Sequence, residues 1–241
     1  MGGLKNRIAA CTQVLDKLLF PPVCPFCGEV LGFLPCCQTC AAEAGKLQIK
    51  NNGLLYKNHY KADYLKDVYA VYQYQSIVRN SIHRFKFQEQ LYLARYYAKE
   101  MAELLHNNQY DCILAVPASH REIRRHKGCH GALLLAEQLC RQMQLPLYKK
   151  ALIKCYDTEP QHDLNAIRRA GNLTGSMQIK KPELIFGKDI LLVDDLTTTG
   201  NTLNYCAKLC MAFGAKSVTG ICYAAALYQI GEQKEKMGEE K

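Results

Sequence analysis

The stretch Ile190-Leu191-Leu192-Val193-Asp194-Asp195-Leu196-Thr197-Thr198-Thr199-Gly200-Asn201-Thr202 decides the reading of this 241-residue chain. Four apolar residues, Ile190 to Val193, predict a buried strand. Two adjacent carboxylates, Asp194 and Asp195, are expected at its carboxyl end. Thr197, Thr198, Thr199, Gly200, Asn201 and Thr202 then turn the chain into a helix predicted over Thr202 to Phe213, with Gly214 as its stop. Backbone N–H groups at a helix start point outward, and the helix dipole adds positive potential there. Threonine hydroxyls add donors, so the segment reads as a phosphate cradle beside two acids. Carboxylates about 4 Å apart repel by roughly 4 kcal/mol at an effective dielectric near 20. They need cations or hydroxyl donors, and a ribose diol or Mg²⁺ would serve. This suits a sugar phosphate, with the acids on its 2′ and 3′ hydroxyls and the loop amides on its 5′-phosphate. Helix capping alone explains one such residue, not six acids and threonines in nine positions. No Gly-Lys-Ser/Thr closes the segment, which excludes a Walker A loop.

Working outward, strand and helix signals alternate. Val68 to Tyr74 and Cys112 to Val116 predict strands. Ser76 to Phe85, Leu91 to Leu105 and Leu133 to Cys140 predict helices. Ala151 to Cys155 and Lys216 to Ala225 predict further strands. Such alternation implies a parallel sheet covered on both faces, with ligands at the carboxyl ends of strands. The segments leaving Val116 and Val193 are therefore the places to expect a ligand. A basic loop, Ser119 to His130, comes after the first. Asp157 to Gly175 is a long polar loop of the functional kind. Leu4 to Leu18 has helical apolar spacing and is stopped by Pro21-Pro22. Asn51 to Lys61 reads as a linker. The divisions expected are 1–60 for an N-terminal helix and cysteine module, 61–230 for the α/β domain and 231–241 for a disordered tail.

Composition is ordinary for a globular protein, with 49% apolar and 22% charged residues, which excludes a wholly disordered or collagen-like chain. Lys plus Arg exceed Asp plus Glu by 31 − 22 = 9, favouring anionic partners without choosing among them. The longest uncharged apolar candidate, Ser217 to Gly231, has 15 residues, short of a membrane span of about 20. No secretory leader pattern opens the chain, so the expected location is cytoplasmic.

Thirteen cysteines then favour reduced thiols and a metal site over disulfides. Cys24-x-x-Cys27 and Cys37-x-x-Cys40 form two knuckles whose four thiolates would fill the tetrahedral sphere of a structural Zn²⁺. Gly28 permits the turn after the first knuckle. Cys36 is an alternative to Cys37 that fits less well. Disulfides and plain buried cysteines are the competing readings. Cys206 and Cys210, at helical spacing, read as core.

The segment Ile190 to Thr202 resembles the motif of type I phosphoribosyltransferases that binds 5-phosphoribosyl 1-diphosphate (PRPP): an apolar run, two acids, then Thr-Thr-Gly-x-Thr. More of the chain resembles the ComF branch. Val116-Pro117 and the basic loop resemble its pyrophosphate loop. Asp157-Thr158-x-Pro160-Gln161 and Arg169-x-x-Asn172 resemble its mobile loop, and the cysteine cluster is a ComF trait. Two places depart from the pattern. Gly128-Cys129-His130 stands where the family has Gly-Phe/Tyr-Asn, and Gln161-His162 stands where it has Gln-Ser/Thr.

The resemblance implies an α/β type I phosphoribosyltransferase-like parallel sheet flanked by helices, with a small N-terminal zinc-binding module. It implies transfer of a 5-phosphoribosyl group from PRPP with Mg²⁺ and release of pyrophosphate. Asp194 and Asp195 would be catalytic. Ser119, His120, Arg121, Arg168 and Arg169 would bind the diphosphate. ComF proteins are linked to DNA uptake in natural competence, so single-stranded DNA or a competence helicase is an implied partner. Arg121, Arg124, Arg125 and Lys127, with Tyr92, Tyr96 and Tyr97 near Arg95 and Lys99, are a candidate single-strand groove. A solvated face with core tyrosines is the reading those residues favour by themselves. Lys86, beside Phe85 and Phe87, is either an exposed lysine or one that reaches the phosphate site.

Overall fold

The computed structural model describes residues 23–32, 34–55, 63–87, 90–106, 108–118, 130–154 and 177–227. The predicted helix Leu4 to Leu18, the basic loop Ser119 to Cys129, the polar loop Asp157 to Gly175 and the tail from 231 lie outside them. The chain divides into two compact units between Lys46 and Leu47.

The first unit holds both cysteine knuckles. Val23 and Val30 form an antiparallel bridge, and Cys24 N donates to Glu29 O at 2.7 Å across the turn. Helix α1, Gln38–Leu47, starts directly after Cys37. Cys37 and Cys40 are therefore one helical turn apart and share a face.

The second unit is built on a sheet of four parallel strands. These are β1 (Val68–Gln73), β2 (Cys112–Ala115), β5 (Asp189–Thr197) and β6 (Ser217–Ala225). Their order across the sheet is β1-β6-β5-β2. The central strands are near-continuous apolar runs, as strands covered on both faces must be. Ile190 to Val193 have no exposed surface.

Side-chain alternation along β5 sorts the core into two layers. Ile190 and Leu192 pack with Leu203, Cys206 and Cys210 of helix α5, Asn201–Ala212. The other face takes helices α3 (Leu93–Leu104) and α4 (Gly131–Met143), with Tyr97, Met101, Leu135 and Leu139 fully buried. Helix α2, Ser76–Phe87, follows β1 and buries Val78, Ile82 and Phe85.

Three expectations change. The strand expected to stop at Val193 runs on to Thr197, because β6 continues to pair with it through Leu196↔Ala224 and Thr197↔Ala225. The strand at Ala151 to Cys155 is β3, Leu152–Lys154, and it lies outside the parallel sheet. It pairs antiparallel with β4, Met177–Ile179, which the sequence did not announce. Part of the expected linker pairs with β1, where Ala70 N donates to Gly53 O and Leu55 N to Val68 O, burying Leu55.

Candidate ligand site at the end of the sheet

Strand β2 ends at Ala115, opposite Val193, while β5 runs four residues further. The chain leaving β2 reaches α4 on one face, and the chain leaving β5 enters α5 on the other. A crevice opens where neighbouring strands send their connections to opposite faces. A cavity of about 260 Å³ lies there, lined by Lys86, Val116–Ala118, His130–Ala132, Lys154, Met177, Asp194–Leu196 and Thr202.

Both acids line this cavity, but they are not equivalent. Because the strand continues through them, they leave β5 on opposite faces. Asp194 is half-buried, and its Oδ1 accepts the Asp195 backbone N–H at 2.8 Å. Asp195 is buried on the side of α2 and α4. Its Oδ1 meets the Lys86 ammonium at 2.7 Å. Its Oδ2 faces Gly131, where a Cβ would stand only 2.6 Å away. Any side chain at 131 would displace the carboxylate or the helix. Both acids of the predicted pair thus line one cavity, and Asp195 meets Lys86 there.

Thr197 is buried, Thr198 and Thr199 are exposed, and Thr202 lines the cavity wall. Gly200 takes φ +75° at the start of α5, in the left-handed region where glycine is favoured. Asn201 N donates to Thr199 Oγ1 at 3.5 Å. The turn brings a 12-residue helix's N-terminus to the carboxyl end of β5, the setting in which backbone amides bind anions. Ser119, His120, Arg121, Arg168 and Arg169 lie outside the described residues.

Two residues of the site were not picked out by sequence reasoning. His130 Nε2 lies 2.9 Å from both Val116 O and Ala118 N. It clasps the two ends of the basic loop. The only signal for it was its place in the Gly128-Cys129-His130 departure. Lys154, at the end of β3, is a second cation on the cavity wall.

Of the tyrosines considered for a single-strand groove, Tyr97 is core and Tyr96 is half-buried. Tyr97 has no exposed surface, stacks on Tyr223 at 3.7 Å between ring centroids, and its hydroxyl meets Ser81 Oγ at 2.5 Å. Tyr72 and Tyr96 donate to Glu100 Oε1 at 2.7 and 3.1 Å, and Tyr223 donates to Oε2 at 2.9 Å. Burial raises the Glu100 pKa, and the three phenols only partly offset it. Of the proposed single-strand aromatics, only Tyr92 is exposed.

In the first unit the Sγ atoms of Cys24, Cys27, Cys37 and Cys40 lie within 4.8 Å of one another. Four sulfurs about 2.3 Å from a central zinc would stand about 3.8 Å apart. Cys24–Cys37 and Cys27–Cys37 are 3.7 and 3.8 Å. The donor set and its size therefore fit a tetrahedral zinc. Cys40 N lies 3.5 Å from Cys37 Sγ, an amide aimed at a prospective thiolate. Cys36 stands beside the set, 3.7 Å from Cys24. Burial opposes ionisation of Cys24, but the amides of Cys27, Cys37 and Phe26 outweigh it and bring the thiol to about 6.

Comparison with known proteins adds a context. A family model described as "Phosphoribosyl transferase domain" matches residues 130–238. The chain is 34% identical over 147 residues to "Competence protein F" of Haemophilus influenzae, covering 57% of this chain and 63% of that protein's length. It is 25% identical over 208 residues to "Competence protein ComFC" of Bacillus subtilis, covering 85% of this chain and 78% of that protein. Among solved structures, an adenine phosphoribosyltransferase from Thermoanaerobacter pseudethanolicus superimposes with a TM-score of 0.39 at 17% identity, covering 58% of this chain and 83% of that one. No helix among the described residues is long and apolar enough to cross a membrane.

Proposed function

The chain is a ComF-family protein with a type I phosphoribosyltransferase-like fold, and from that premise we propose that it binds PRPP at the end of β5 and transfers its 5-phosphoribosyl group to an acceptor, with release of pyrophosphate. One observation carries the proposal. Asp194 and Thr202, on either side of the Gly200 turn, line one cavity at the switch point of the sheet, inside the segment matched by the family model.

Each residue then has a task. Asp194 accepts hydrogen bonds from the ribose hydroxyls. The amides from Thr198 to Asn201 and the hydroxyls of Thr199 and Thr202 hold the 5-phosphate. Lys154, Arg168 and Arg169 neutralise the diphosphate, and Ser119, His120 and Arg121 bind it through backbone amides. As the bond from C1 to the diphosphate oxygen breaks, C1 gains oxocarbenium character, and the acceptor's lone pair forms the new bond. Fixed cations and amides stabilise that charge separation without reorganising. Mg²⁺ carried by the diphosphate would supply further charge neutralisation on the leaving group. The four-cysteine cluster would hold a structural zinc and stabilise a unit too small to fold on its own core.

A second reading is favoured by the names of the relatives. As a competence protein, the chain would handle single-stranded DNA, alone or with a competence helicase, with little turnover. The test is pyrophosphate release from PRPP with Mg²⁺ against a panel of nucleobases and amines. Acceptor-dependent release that disappears in D194N/D195N supports the transferase. No release, together with salt-sensitive binding of single-stranded oligonucleotides, supports the DNA-handling role.

A further inference from the structure

The Lys86–Asp195 ion pair has a consequence for what the site can hold. Lys86 sits in the last turn of α2, and its ammonium crosses to Asp195 on β5 at 2.7 Å. The Asp195 side chain is only 10% exposed, and its other oxygen faces Gly131, where a Cβ would stand 2.6 Å away. Asp194 lines the same cavity. Without Lys86, the charge of Asp195 would add to that of Asp194, opposing a ligand with several phosphoryl groups and favouring capture of a divalent cation.

We propose that Lys86 is a positioning residue that sets the charge of the acid pair: by neutralising Asp195 in place, it lets Asp194 read a sugar diol and admits a sugar carrying phosphate and diphosphate groups, while keeping the acids from binding a divalent cation of their own. This rests on the PRPP reading and specifies how that site selects a polyanionic sugar over a bare metal ion.

The experiment uses full-length, zinc-loaded protein as wild type, K86M, K86R, K86M/D194N and K86M/D195N. Mn²⁺ binding without sugar is counted by electron paramagnetic resonance, and PRPP affinity with Mg²⁺ is measured by calorimetry. K86M should gain one Mn²⁺ site at least about tenfold tighter than any in the wild type, since removing a cation at contact distance exposes a full negative charge. That site should disappear in K86M/D194N. K86M should also lose PRPP affinity by about tenfold or more, while K86R keeps both properties near wild type. A K86M protein with wild-type PRPP affinity and no new Mn²⁺ site overturns the proposal. If K86M does not fold, K86M/D195N restores the charge balance and decides. It should fold, bind PRPP within a few-fold of wild type and capture no Mn²⁺, and loss of PRPP binding there overturns the proposal. Absence of PRPP binding in folded wild type refutes the sugar-diphosphate reading instead, and the Mn²⁺ measurement still reports on Lys86.

Discussion

Strand β5 begins on an acid paired with a lysine and carries a second such pair near its carboxyl end, and the two pairs are nearly the same length. At its amino end Asp189 meets Lys216 at 2.6 Å; at its carboxyl end Asp195 meets Lys86 at 2.7 Å. Their surroundings differ. Lys216 is 68% exposed and Asp189 26%, whereas Lys86 is 29% and Asp195 10% exposed. Water screens the first pair, which also shares Asp189 with Ser217 and belongs to the closing of the sheet. The second pair is partly withdrawn from water and borders the cavity at the switch point. Contact distance alone does not distinguish a structural ion pair from a functional one. Burial and position relative to the strand ends do.

The largest effect expected from this contrast falls on ligand binding. D194N/D195N should abolish calorimetrically measured PRPP binding while leaving the circular dichroism spectrum intact. D189N, at the other end of the same strand, should keep PRPP affinity within about twofold. Equal losses from both ends would erase the distinction between them.

A third acid sharpens the comparison, because Glu100 is half-buried among three phenols and desolvation raises its pKa. In the window above the ordinary carboxylate range the unfolded chain has released this proton and the folded chain still holds it. Stability contributed by this group therefore falls as pH rises through that window. Denaturant midpoints at a series of pH values should show a smaller decline in E100Q than in wild type. An unchanged slope would mean that the phenols, not burial, dominate.

The smallest effect belongs to the exposed pair. K216M should leave both the melting temperature and PRPP affinity within error of wild type, as expected for a solvated lysine. A loss as large as that from K86M would show that exposure is a poor guide here.

The residues that carry these contrasts were unequally visible in the sequence. Ile190 to Val193 announced β5, and the turn at Gly200 announced the helix after it. The continuation of the strand to Thr197 was hidden, because aspartates are depleted in strands and only pairing with β6 fixes the end. Hence the split of Asp194 and Asp195 onto opposite faces could not be read. Lys86 was noticed but could not be placed, since its partner lies on another element and no short-range pattern links them. The clasp at His130 was visible only as a departure from a family pattern. The short strand Met177–Ile179 has too few residues for alternation to register. The four cysteines, by contrast, were legible from spacing alone, because metal-ligand chemistry is encoded locally.

One sugar-binding geometry underlies the ligand-binding expectations. A crystal structure of the full chain soaked with PRPP and Mg²⁺ tests it directly. The predicted result is ribose hydroxyls against Asp194, the 5-phosphate on the turn from Thr198 to Thr202, and Lys86 still on Asp195. A cavity without sugar density in crystals that bind PRPP elsewhere, or Asp194 turned into the apolar interior, would contradict it.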